Sequence, residues 1–113
     1  MISAGARSSP AALVRPSLSI ILPVYNRARL LAHPLGSLRA AAAAAPNLEW
    51  EIILVDDGST EDLSETTNHF RDLPLRVHRQ ENRGLLAARL TGLSLAQHEA
   101  VCFLDGDDLV APG

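Results

Sequence analysis

Apolar and polar positions along the chain follow two rhythms. Short aliphatic runs, each ending abruptly in polar residues, are separated by longer stretches whose apolar residues recur at helical spacing. Leu18-Ser19-Ile20-Ile21-Leu22 closes in Pro23-Val24-Tyr25-Asn26, and Trp50-Glu51-Ile52-Ile53-Leu54-Val55 closes in Asp56-Asp57-Gly58-Ser59-Thr60. Leu75-Arg76-Val77-His78-Arg79 alternates, which predicts a strand near a sheet edge. A fourth run, Ala100-Val101-Cys102-Phe103-Leu104, leads into Asp105-Gly106-Asp107-Asp108.

The stretches between these runs read as helices. Pro34 suits the first turn of a helix and not its interior, so the main helix is predicted to begin there. Leu35 and Leu38 would face the sheet, and the alanines of 40–45 extend the helix until Pro46-Asn47 stops it. Ser59-Thr60-Glu61-Asp62 resembles a helix N-terminus, with acids favoured in the first turn. That helix is expected to carry Leu63, Thr67 and Phe70 inward. Asn82-Arg83-Gly84 marks a turn before Leu85 to Ala96, again apolar at helical spacing. The predicted order is β-α-β-α-β-α-β, an α/β fold with a mostly parallel sheet and right-handed crossovers. In such a sheet ligands bind outside the carboxyl ends of the strands. Three of the runs deliver their polar residues to that edge.

With 113 residues, 47% of them hydrophobic, the chain holds material for one small domain with a single core. Residues 1–16 are rich in Ser, Ala, Gly and Pro and read as a flexible leader, with the domain expected over 17–113. The net charge of -3 argues against a nucleic-acid polyanion as partner. Cys102 is the single cysteine, which excludes an intrachain disulfide; within an apolar strand it reads as a small buried hydrophobe rather than a nucleophile. No stretch reaches the roughly 18 apolar residues of a membrane span, so membrane association is not indicated. The leader lacks the continuous apolar core of a signal peptide, and a cytoplasmic location follows by default. His33, His69, His78 and His98 show no ligand spacing and are expected at the surface.

Asp105, Asp107 and Asp108 place three carboxylates within four residues. Like charges this close repel by roughly a few kcal/mol per pair at the effective dielectric of a protein surface. A hard divalent cation with attached phosphates is the usual reason to keep such a cluster. Taken alone, it reads equally as a solvated acidic turn. The acidic end of the second run and the Pro-x-Tyr-Asn end of the first make it part of a constellation.

Taken in order, Ser19 to Asn26, Ile53 to Ser59, Asn82-Arg83-Gly84 with Ala88-Arg89, and Leu104 to Asp108 resemble glycosyltransferase family 2. These are inverting enzymes with the Rossmann-like GT-A fold, and the similarity covers about Ser17 to Pro112. The resemblance implies a nucleotide-sugar donor, with UDP-sugar the commonest choice in the family, a hydroxyl acceptor, and Mn²⁺ or Mg²⁺ as cofactor. It places Pro23, Tyr25 and Asn26 at the strand end that packs against the nucleotide base, with Tyr25 beside the ring. One acid of Asp56-Asp57, with Asp57 preferred, would accept the ring N–H of the base. Arg83 would lie near the base and phosphates, Asp105 near the ribose and metal, and Asp107 would hold the metal. Each has a plainer reading: Tyr25 as a core cap, Asp56 as a turn residue, Arg83 as solvated, and Arg89 as partner of a strand-end carboxylate.

Family members continue well past the Asp-x-Asp motif into an acceptor site and a general base. Only the donor-binding half is therefore expected here, truncated after the fourth strand, and no catalytic base is assigned. A nucleotidyltransferase would carry a glycine-rich, lysine-bearing loop where Pro23 to Arg27 stand. A non-catalytic nucleotide-binding or interaction fragment is the other alternative. A receiver-type phosphoacceptor domain would need a lysine, and the chain has none.

Overall fold

A computed structural model describes residues 16–105. Most of the expected leader, and Gly106, Asp107 and Asp108 of the acidic cluster, lie outside the described residues. The four aliphatic runs form strands: β1 (Ser17–Val24), β2 (Glu49–Asp57), β3 (Leu75–Gln80) and β4 (Ala100–Phe103). Between them lie a short 3₁₀ turn (Ala28–Leu30), α1 (Ala32–Ala43), α2 (Ser64–His69) and α3 (Leu85–Leu95).

All strand pairs are parallel, in the order β3-β2-β1-β4. β3 stands at an edge, as its alternating pattern predicts. β1 and β2 are buried on both faces, which is why their sequences run apolar without alternation. On one face Ile20, Leu22, Val24, Ile52 and Leu54 meet Leu31, Leu35 and Leu38 around α1, and Leu63, Phe70 and Leu73 around α2. On the other, Ile21, Ile53 and Val55 meet Ala88 of α3. Gly92 lets α3 approach closely: a Cβ there would stand 2.3 Å from Cγ2 of Ile21. At the amino end of the sheet, the buried Glu51 carboxylate accepts from the Ser19 hydroxyl (2.7 Å) and the Gln97 N–H (2.7 Å), with Arg76 3.7 Å away. These bonds tie the segment after α3 to the sheet.

The helices depart from expectation in detail. α1 begins two residues before Pro34 and ends at Ala43. Pro34 falls within the first turn, where a missing N–H costs nothing because the first four N–H groups have no intrahelical partner. α2 starts at Ser64 rather than among Ser59 to Asp62, since Ser59, Thr60 and Glu61 are engaged in tertiary hydrogen bonds. Leu63 and Phe70 are buried as expected, but Thr67 only partly. Cys102 is only partly buried, because β4 has a neighbour on one side alone among the described residues. Among those residues no helix is long and apolar enough to cross a membrane.

Candidate functional site

The strand order runs outward from β1 in opposite directions, to β2 and β3 on one side and β4 on the other. In doubly wound sheets the carboxyl edge at such a reversal is where ligands are taken. Pro23 ends the pairing of β1 with β4 there. The Ile21 carbonyl accepts from the Leu104 N–H (3.0 Å), and Pro23, two residues on, faces the same side without an N–H to continue the ladder. Pairing of β1 with β4 accordingly ends at Ile21–Phe103, while pairing with β2 runs on to Val24–Asp56.

Past β1 the chain turns through Asn26, whose φ of 50° is tolerated by asparagine better than by other non-glycine residues. Its N–H donates to Ser59 Oγ (2.9 Å), and its Oδ1 accepts from the N–H groups of Thr60 (2.8 Å) and Glu61 (3.1 Å). Asn26 thus staples the loop after β1 to the loop after β2.

Adjacent strand residues point to opposite faces, and this separates the two acids at the end of β2. Asp56 is buried, accepting from the Ser59 N–H (2.9 Å) and from Arg79 Nη1 (2.8 Å), while Arg79 Nη2 donates to the Ser59 carbonyl (2.8 Å). These bonds hold the turn after β2. Gly58, at φ 79°, is required there as well: a Cβ would stand 2.7 Å from the backbone nitrogen of Asn82.

Asp57 faces the α3 side and is only 4% exposed. Its Oδ1 accepts from Gln80 Nε2 (2.9 Å) and the Arg83 N–H (2.9 Å), and its Oδ2 from the Gly84 N–H (2.9 Å). Burial pushes its pKa up, but these three donors and the Arg83 charge outweigh that and hold it below the ordinary carboxylate range. Asp57 closes a recess of about 100 Å³ lined by Pro23, Val24, Tyr25, Leu85 and Ala88. Tyr25, 48% exposed, stands at its rim. The result is an apolar slot with one ionised acceptor. A carboxylate offers about four acceptor positions, and three are taken.

Asp105 lies just past β4, its side chain 49% exposed, with Arg89 Nη2 at 3.0 Å from Oδ1. Among the described residues no group of three His, Cys, Asp or Glu is placed to hold a metal, and Asp107 lies outside them.

The fold therefore gathers Pro23, Tyr25 and Asp57 at one recess and engages Asn26 and Asp56 in holding the loops around it. Arg83 contributes its backbone to Asp57 and leaves its residue exposed. Sequence reasoning gave Leu85 and Ala88 no place in the site, although their i, i+3 spacing puts them on one helix face. It also missed Gln80, which stands opposite Asp57 in the β2–β3 register.

Residues 19–113 match Glycosyl transferase family 2. The chain belongs to this family. An uncharacterised glycosyltransferase of Haemophilus influenzae is 40% identical over 99 residues, covering 85% of the chain and 38% of that protein. Among solved structures, the mannosyltransferase PcManGT of Pyrobaculum calidifontis, in complex with GDP-Man and Mn²⁺, superposes with a TM-score of 0.72 and 29% identity. That match covers 89% of the chain and 30% of PcManGT. S. aureus TarS 1–349, in complex with UDP-GlcNAc, gives a TM-score of 0.72 and 31% identity over 82% of the chain and 27% of TarS 1–349. The α/β architecture of this family 2 chain is thus that of GT-A glycosyltransferases. It spans less than two fifths of the length of each of these relatives.

Proposed function

We propose that residues 17–113 form the donor-binding part of an inverting glycosyltransferase that takes a nucleoside diphosphate sugar and serves a hydroxyl acceptor. The base enters the recess between Pro23, Tyr25 and Leu85, and its ring N–H donates to Asp57. The observation that carries this reading is the Asp57 carboxylate, buried at the end of the recess and held ionised by three donors.

An ionised carboxylate only accepts. It therefore selects bases with a ring N–H at the pairing edge: uracil at N3 and guanine at N1. Cytosine and adenine present a bare ring nitrogen there. The donors bound by the two solved relatives, UDP-GlcNAc and GDP-Man, both carry a base of the first kind, which supports the assignment.

Arg83, beside Asp57, lies near the base and phosphates. Asn26 and Asp56 act by holding the loops that shape the slot. Asp105 with Asp107, after β4, would hold Mn²⁺ or Mg²⁺ beside the diphosphate. Asp105 fits that role as a half-exposed hard oxygen donor on a strand end, and its present partner, Arg89, is itself a cation. When bound, the ion would stabilise the charge left on the diphosphate as the sugar departs. No residue is assigned as general base. The cytoplasmic location read from the sequence belongs to the same proposal.

Calorimetric titration of the chain with UDP, GDP, CDP and ADP in Mn²⁺ tests the reading. UDP or GDP should bind about 10-fold or more tighter than CDP and ADP, the worth of one hydrogen bond to a charged group. Asp57→Asn should erase the difference. Equal binding of all four nucleotides would refute the placement of the base against Asp57.

A further inference from the structure

Two residues that touch no ligand in this scheme form a hydrogen-bond chain to the acceptor at the end of the recess. Gln80, the last residue of β3, donates Nε2–H to Asp57 Oδ1 (2.9 Å). Its Oε1 accepts from the Thr91 hydroxyl on α3 (2.7 Å). Both contacts are partly buried, and their direction is forced. A carboxylate has no proton to give when ionised, so the amide nitrogen must face Asp57. The amide oxygen is then left for Thr91, whose hydroxyl must donate.

The other two donors to Asp57 are backbone N–H groups, of Arg83 and Gly84, placed by the path of the loop. Gln80 is the side-chain donor among the described residues, and the Thr91 hydroxyl anchors the far end of its amide by donating to Oε1. Together with the Arg83 N–H, Gln80 fills Oδ1 and leaves Oδ2 with the Gly84 N–H alone among the described residues. Acceptor capacity is thereby concentrated on one oxygen.

We propose that Thr91 and Gln80 are positioning residues that orient the Asp57 carboxylate and so set its grip on the base of the donor nucleotide. The proposal rests on the reading of Asp57 as the base acceptor. The other titratable or charged groups at Asp57 are Arg83 on the following loop and Tyr25 across the recess. α3 presents Leu85 and Ala88 there, and β1 presents Pro23 and Val24.

The test compares the full chain with Thr91→Val, Gln80→Leu, their double variant and Asp57→Asn. Asp57 carboxyl titration is followed by ¹³C NMR, and UDP affinity in Mn²⁺ is measured against pH. Loss of a donor to the ionised form raises the Asp57 pKa, so the pH below which UDP binding fails should move upward in Gln80→Leu. UDP affinity near neutral pH should fall, by less than in Asp57→Asn, because the carboxylate remains but is no longer held toward the base. Thr91→Val, which keeps the side-chain volume and removes only the hydroxyl, should shift both readouts in the same direction and by less. In the double variant Thr91→Val should add nothing, because it acts through Gln80.

An unmoved Asp57 titration and UDP affinity in both single variants, with Asp57→Asn weakening UDP to the level of CDP, would overturn the positioning role and leave the base-acceptor reading intact. A full additional effect of Thr91→Val in the Gln80→Leu background would overturn the relay. UDP affinity undiminished in Asp57→Asn would overturn the base-acceptor reading, and this proposal with it.

Discussion

Gly92→Ala and Gly36→Ala are the same chemical change on two helices, and the structure predicts opposite outcomes. Alanine favours a helix interior over glycine by about 1 kcal/mol, so propensity alone makes both changes stabilising. At Gly36 on α1 nothing stands within 4 Å of the added Cβ, and the propensity gain should be realised. At Gly92 the added Cβ would lie 2.3 Å from Ile21 Cγ2, 3.2 Å from its Cγ1 and 3.3 Å from its Cβ. Carbon pairs rest at about 3.5–4.0 Å, so the shortfall is roughly 1.2 Å or more. Ile21 is fully buried on the central strand, and rotating its side chain cannot clear a contact that its own Cβ shares. α3 must lift instead. Overpacking of this kind costs about 1–3 kcal/mol, and its severity here places it at the upper end. Subtracting the propensity gain leaves a net loss of about 1–2 kcal/mol. Domains of this size shift by about 4–8 °C per kcal/mol. Thermal melts should therefore show Gly92→Ala lower than the parent by about 4 °C or more and Gly36→Ala higher by a few degrees. Because α3 carries Leu85, Ala88 and Thr91, UDP affinity should fall in Gly92→Ala and be retained in Gly36→Ala. A Gly92→Ala melting point equal to or above the parent would show that the packing of α3 on Ile21 is misjudged.

Two further outcomes are expected. Burial pushes the Glu51 pKa up, but the Ser19 hydroxyl, the Gln97 N–H and the charges of Arg76 and His98 outweigh it and hold it below the ordinary carboxylate range. A depressed folded-state pKa stabilises the fold above the unfolded value, and that contribution is lost as pH falls through the folded one. Stability should therefore drop on acidification, and Glu51→Gln should be less stable at neutral pH with a shallower acid slope in denaturant melts; an unchanged slope would refute the role of Glu51. A ligand that binds only the folded state raises the melting point, so Mn²⁺ with UDP should stabilise the chain and a chelator should abolish most of the gain. Asp107→Asn should lose most of that shift and Asp105→Asn a large part, and a full shift in Asp107→Asn would remove the metal role from the acidic cluster.

Strand and helix order along the chain, and the gathering of polar residues at the carboxyl ends of the strands, were legible in the sequence. They depend on local quantities: the period of apolar residues, and polar residues where an apolar run stops. The same locality explains the errors. Ser59 to Asp62 carry a helix-start pattern, yet Ser59 meets the N–H of Asn26, and the Asn26 carboxamide caps Thr60 and Glu61 from more than thirty residues earlier. Tertiary partners overrode the local preference, and α2 begins later.

The sequence by itself determined that two adjacent acids end the second strand and that they must point to opposite faces. Only the tertiary structure decided which one is taken by the turn and which one closes the recess. Asp56 meets Arg79 and Asp57 meets Gln80, both on β3, because the parallel register places those residues opposite. Register and crossover are set by which helix covers which face of the sheet, and that is fixed by burial across the whole core. A carboxylate's neighbours in sequence do not carry that information.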